Sequence, residues 1–174
     1  MTRLLNGSEL VGYIQERQAK QVRALRQAWH TQPKLVILKT PGASEVIDAY
    51  VRMKRAYGDD ILIETVIDTV PVTELSGSIA QYNDDASVHG IIVQLPLDDP
   101  TKTDEILAQI APGKDVDGLG PDAKFDSATA EAINWLLTGY GIDLAHKKVA
   151  IVGNGRLVGR PLAALWGKSN YDLT

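Results

Sequence analysis

Short apolar runs alternate with segments of helical period along almost the whole chain, and that alternation leaves few folds open. Lys34–Lys39 (KLVILK), Ile61–Thr69, His89–Leu97 (HGIIVQLPL) and Val149–Val152 read as strands. Between them, Ser44 to about Tyr57, Thr73–Asn83, Thr103–Ile110 and Ala128–Leu137 read as helices, with Ser44 as a cap. Strands alternating with helices form a parallel sheet through right-handed crossovers, with helices on its faces. The expected class is therefore α/β. Ahead of the first strand, Asn6 can cap a helix, with Glu9 completing a capping-box pattern. Val11, Ile14, Val22, Leu25 and Trp29 follow at three-to-four spacing, with Gln18 filling the gap. They predict a long amphipathic helix whose basic face (Arg17, Lys20, Arg23, Arg26) is solvated.

The stretch Lys148–Trp166, KVAIVGNGRLVGRPLAALW, reads as strand, glycine turn and helix. Gly153, Gly155 and Gly159 give the spacing G-x-G-x-x-x-G, whose last gap is one residue longer than the common dinucleotide fingerprint. Pro161 suits a first helical turn. Such a turn lets backbone N–H groups meet a phosphate at a helix start. The pattern is that of a nucleotide-binding unit at its beginning, and Thr174 follows soon after.

Three places could carry chemistry. Gln94 is the polar residue in a strand that is otherwise nearly all apolar, near the carboxyl end where open α/β sheets bind ligands. A glutamine satisfied by a neighbouring loop is the plainer account of it. Tyr50 and Lys54 lie four apart and share a helix face; a lysine in a desolvated pocket can act in proton transfer. A surface pair is the commoner case, and Arg52 and Arg55 fit it. The loop Pro112–Pro121 (PGKDVDGLGP) holds Asp115 and Asp117, which alternation would point the same way. One of them could accept two hydrogen bonds from a heterocycle, or the pair could make an Asx turn before Gly118. The loop lacks the further oxygen ligands of a calcium site, and His30, His89 and His146 are scattered, so no metal is expected.

Composition narrows the partners. The net charge of −4 gives no nucleic-acid footprint. There is no cysteine, hence no disulfide or thiolate chemistry. The N-terminal apolar run is too short for a signal peptide and no stretch reaches the length of a membrane span. A cytoplasmic protein with no membrane partner is the expectation.

Taken in order, AYVRMKRAYG, YNDDASVHGIIVQLPL, PGKDVDGL and VAIVGNGRLVGRPLAALW resemble the bifunctional methylenetetrahydrofolate dehydrogenase/cyclohydrolase family over nearly the whole chain. The resemblance implies interconversion of 5,10-methylene-, 5,10-methenyl- and 10-formyl-tetrahydrofolate in one-carbon metabolism and purine biosynthesis, with NADP or NAD as cofactor. It implies a folate-binding catalytic domain at residues 1–122. Residues 123–174 would then hold a linker helix and the start of an incomplete Rossmann-type domain. The boundary would fall within Gly118–Ser127. Lys54 resembles the catalytic lysine, Tyr50 the ring-stacking tyrosine, Gln94 the glutamine that positions the lysine, and Asp117 the aspartate that holds the pterin. Val93, Leu95 and Pro96 would join the substrate site. Gly153, Asn154, Gly155, Arg156 and Gly159 would hold the cofactor. Full-length members would be homodimers.

The chain departs from the family pattern at several points. Ile47 stands where a serine precedes the tyrosine, with Ser44 further back. The threonine-proline segment is replaced by DSATAEA, Asp126–Ala132. Asn154–Gly155 replaces an Arg-Ser pair that helps hold a cofactor phosphate, which leaves NADP against NAD open, with Arg156 or Arg160 as substitutes. The rest of the cofactor domain would be missing, so the segment after about Lys147 is expected to be loosely held or covered by self-association. Alternatives are a folate-binding fragment with little turnover, or an unrelated Rossmann-type dehydrogenase.

Overall fold

The computed structural model describes residues 3–174; Met1 and Thr2, where the expected first domain begins, lie outside it. Three strands, β1 (Lys34–Lys39), β2 (Glu64–Thr69) and β3 (Gly90–Val93), form a parallel sheet in the order β2-β1-β3. The register sets Leu38 beside Asp68 and Val93. Alternation along β1 divides its side chains between two faces. Val36 and Leu38 join Ile91 and Val93 in one core, with Leu75 and Ile79 of α3 (Leu75–Asp84) and Ile106 and Leu107 of α4 (Thr103–Leu107). Ile37 and Ile92 face the other way, onto Ile47 and Val51 of α2 (Glu45–Asp60). A parallel sheet needs both faces covered, which is why its strands read as continuous apolar runs.

Several boundaries move. Ile61–Ile63 close α2 instead of opening β2: Ile61 N–H donates to Tyr57 O, and Ile63 N–H to Gly58 O. These bonds satisfy carbonyls that a helix end leaves open. Short 3-10 turns at Val72–Glu74 and Pro100–Lys102 precede α3 and α4, and α4 is shorter than its sequence pattern.

The first helix, α1 (Gly7–Trp29), starts at Asn6, whose side chain accepts Ser8 N–H. Its packed face differs from the expected one. Ala19 and Val22 are buried, while Gln15 donates to Asp60 (2.8 Å) and Tyr57 Oη donates to Gln18 (2.6 Å) on α2. Val11, Leu25 and Trp29, expected in the core, are exposed. The middle of α1 lies on α2, and no α1 residue after Val22 is buried, so the periodic stripe outruns the surface that could cover it. On the basic face, the Arg17 guanidinium lies 5.9 Å from the Trp135 ring centroid.

Helix α5 (Ala128–Gly139) links the sheet unit to the glycine turn. Asn6 N–H donates to Tyr140 Oη (2.8 Å) at one end of it, and Ala130 packs on Leu162 and Trp166 at the other. Beyond it, β4 (Lys148–Val149) and β5 (Asp172–Leu173) pair in parallel, with α6 (Gly159–Gly167) between them. The expected strand Val149–Val152 is thus cut to two residues. Its ladder has one neighbour, and although Ile151 N–H still donates to Thr174 O (2.9 Å), Val152 is fully exposed. The segment after Lys147 is nonetheless packed rather than bare: Leu162 and Trp166 are buried, with Val149, Ile151, Tyr171 and Leu173 around them. No helix among the described residues is long and apolar enough to cross a membrane.

Candidate active site

The candidate chemistry gathers at the carboxyl ends of β1 and β3, beneath α2. Gln94 N–H donates to Leu38 O (2.8 Å), which carries the ladder one residue past β3 and fixes the glutamine against the sheet. Its side-chain oxygen accepts from Lys54 Nζ at 2.9 Å, and its amide nitrogen donates to Leu95 O at 3.2 Å. The loop-satisfied account of Gln94 therefore covers only its N–H side. Lys54 is half-buried on α2, whose buried Ile47 and Val51 seat the helix and whose Ser44 side chain caps it at Ile47 N–H. Tyr50, one turn earlier, is 57% exposed and open to a ligand. Leu95 is half-buried and Pro96 exposed, across a cis peptide bond. Val93 lies in the opposite core, so only its main chain can reach this face.

The two aspartates of the loop separate. Asp115 is buried and accepts from Gly118 N–H (3.0 Å) and Gly120 N–H (2.7 Å), so the turn reading belongs to it. Gly118 sits at φ 66°, and a Cβ there would lie 2.7 Å from Phe125 O, so the turn requires glycine. Asp117 has another environment. Burial pushes its carboxyl above the ordinary value; the Lys54 ammonium opposes that shift and Asp115 adds to it.

Two acidic contacts at this edge escaped the sequence reading. Lys39 Nζ pairs with Asp48 on α2 at 2.5 Å. Asp98 accepts from Thr40 Oγ1 (2.7 Å) and Gly42 N–H (3.2 Å), tying the β1–α2 loop to the segment after β3. A charge ending an apolar strand was the available signal for Lys39; its partner lies nine residues away and shows no local pattern.

A cavity of about 690 Å³ lies to one side, between α4, the 118–127 loop and α6. Lys54 and Gln94 do not line it; Gly118, the chain neighbour of Asp117, does. Arg156, Arg160 and Pro161, which follow the glycine turn, line its far side. Gly153 adopts φ 99°, and a Cβ on Gly153 or Gly155 would meet nothing within 4 Å. A Cβ on Gly159 would lie 1.9 Å from Gly153 O, so α6 starts hard against the turn. Open backbone before a helix start fits the diphosphate of a dinucleotide. Asn154 is exposed there, and Arg156 reaches across the cleft to Asp104 of α4.

A parallel α/β sheet with polar groups converging on its strand ends, beside a glycine turn at a helix start, defines a ligand-binding protein of the open α/β class. Residues 5–117 match the tetrahydrofolate dehydrogenase/cyclohydrolase family, catalytic domain, and the chain belongs to that family. It is 33% identical to the bifunctional protein FolD of Enterococcus faecalis, over all of this chain and 66% of that protein. It is 31% identical to FolD of Helicobacter pylori, over 93% of this chain and 60% of that one. The chain thus spans less than two thirds of the length of either relative. Among solved structures it superposes on the bifunctional dehydrogenase/cyclohydrolase FolD of Campylobacter jejuni with a TM-score of 0.91 and 30% identity, covering 99% of this chain and 65% of that one. With the Trypanosoma brucei enzyme, solved with NADP and an inhibitor, the TM-score is 0.90 and the identity 25%, covering 99% and 63%.

Proposed function

We propose that this chain carries a folate site and acts in the interconversion of 5,10-methylene-, 5,10-methenyl- and 10-formyl-tetrahydrofolate, with NAD or NADP as hydride partner. The observation that carries this reading is the 2.9 Å hydrogen bond from Lys54 to Gln94 at the strand ends, in a chain of this family. Lys54 moves a proton as water adds to the methenyl carbon and the ring opens. Gln94 holds the amine. Tyr50 stacks on the substrate's ring system. Asp117 accepts two N–H groups of the pterin. Leu95, Pro96 and the main chain of Val93 border the same pocket. Gly153, Asn154, Gly155, Arg156 and Gly159 hold the cofactor's diphosphate. When bound, the nicotinamide supplies the hydride acceptor, and the protein's share of that step is orientation. In this reading residues 1–122 form the folate unit and 123–174 the connecting helix and the start of the nucleotide unit.

The test is methenyl-tetrahydrofolate hydrolysis by Lys54→Met and its parent. The variant should lose ~10²–10⁴-fold in rate with an unchanged melting temperature. A variant that keeps most of the parent's rate removes Lys54 from the mechanism. A parent that binds a folate analogue but hydrolyses no faster than the spontaneous reaction would be a folate-binding protein without turnover.

A further inference from the structure

Two lysine-to-acceptor links join α2 to the end of the sheet, and they run in opposite senses. In one, Lys54 on the helix donates to Gln94 after β3. In the other, Lys39 at the end of β1 pairs with Asp48 on the helix. Leu38 is in register with Val93 and accepts Gln94 N–H, so Lys39 and Gln94 end neighbouring strands side by side. On the helix, Val51 is 3% exposed and marks the underside. Asp48 and Lys54 stand three residues before and after it, about 60° to either side of the buried line. Ile47 and Val51 seat α2 by non-directional apolar contact, and Tyr57 and Asp60 tie its far end to α1, so near the strand ends it is polar links that oppose a small rotation of the helix about its own axis. Two polar links flanking that line on opposite sides do resist it. The Lys39–Asp48 pair is suited to hold the helix in this way, because its side chains are 19% and 37% exposed, less solvated than an ordinary surface pair.

We propose that Lys39 and Asp48 are positioning residues, whose ion pair fixes the rotation of α2 and thereby sets Lys54 against Gln94 and Tyr50 beside it. The catalytic consequence rests on the folate reading above; the positioning itself does not. The experiment therefore has two readouts on Asp48→Asn, Lys39→Ala and Asp48→Glu. One is the rate at which an amine-reactive reagent labels Lys54, measured by peptide mass spectrometry with Lys34 and Lys114 as internal references. The other is the kcat and KM of methenyl-tetrahydrofolate hydrolysis. Asp48→Asn and Lys39→Ala should raise Lys54 labelling several-fold over the references and lower kcat by about tenfold with little change in KM, as expected of a misplaced catalytic group. Asp48→Glu, which keeps the charge, should restore most of both. The double variant Asp48→Asn/Lys39→Ala should be no worse than either single one. Unchanged Lys54 labelling in both single variants overturns the proposal, as does a rise shared equally by Lys34 and Lys114, which would mark general loosening. Altered Lys54 labelling in a protein whose parent shows no catalysed hydrolysis would retire the catalytic part of the folate reading and leave the positioning role standing.

Discussion

The run Val36–Leu38 and the run Val149–Val152 are alike in residue type and unlike in fate. Val36, Ile37 and Leu38 have no exposed surface, whereas Val152 is fully exposed and Val149 and Ile151 are half-buried. The difference lies in their neighbours. β1 is the middle strand of three, with helices on both faces. β4 has one partner strand, paired at two residues, and shares a single apolar cluster with α5 and α6. An aliphatic run confers a tendency to extend; burial depends on how many surfaces close on it, and those arrive from elsewhere in the chain.

The contrast can be broken most directly by truncation. Ile37→Ala should cost about 2–5 kcal/mol in denaturant unfolding, while Val152→Ala should stay within ~0.5 kcal/mol. Equal costs would mean that Val152 is covered in solution. At the junction of the two units, Asp117→Ala should weaken a folate analogue by roughly 1.5–3 kcal/mol in calorimetry, through loss of a charged acceptor. Unchanged affinity would reduce Asp117 to a loop residue beside the Asp115 turn. In the glycine-turn unit, Gly159→Ala puts a methyl group against Gly153 O, a crowding worth about 1–3 kcal/mol. It should weaken NAD(P)H binding in a fluorescence titration and leave methenyl hydrolysis at Lys54 untouched. A matching loss of hydrolysis would show that the two units act as one.

The smallest effect concerns pH. Burial raises the Asp117 carboxyl above its ordinary value in the ligand-free protein. Folding therefore favours the neutral acid. The stability this contributes is complete below the ordinary carboxylate pKa near 3.8 and is lost as pH rises through the raised one. Asp117→Asn stays neutral throughout. It should melt higher than its parent at neutral pH, with the gap closing as the pH falls below that range. A gap that widens in acid would reverse the sign and point to Lys54 as the stronger influence on Asp117.

Much of this was legible from residue order. Asn6 and Ser44 announce their helices because a cap acts on amides only two or three residues ahead. Gln94 stands out because an amide in an apolar strand must find a partner. Tyr50 and Lys54 share a face through helical spacing. Three features were not legible. The outer half of α1 carries the right period for burial, yet Leu25 and Trp29 stay exposed. Asp115 and Asp117 are equivalent in the sequence, and only the close approach of Gly118 and Gly120 turns the first inward. Arg156 reads as a phosphate ligand, while in the fold it meets Asp104, 52 residues away.

The division follows from the range of the forces. Strand runs, helix periods, caps and the glycine turn depend on residues a few positions apart, so the order of residues already determines them, and with them the α/β class and the family. The site depends on which distant residues are brought together. Lys54 finds Gln94 forty residues on only because β1 and β3 lie side by side and α2 is seated at one rotation over their ends. Sheet register and helix rotation are collective results of packing both faces of the sheet at once. No local stretch of the chain contains them.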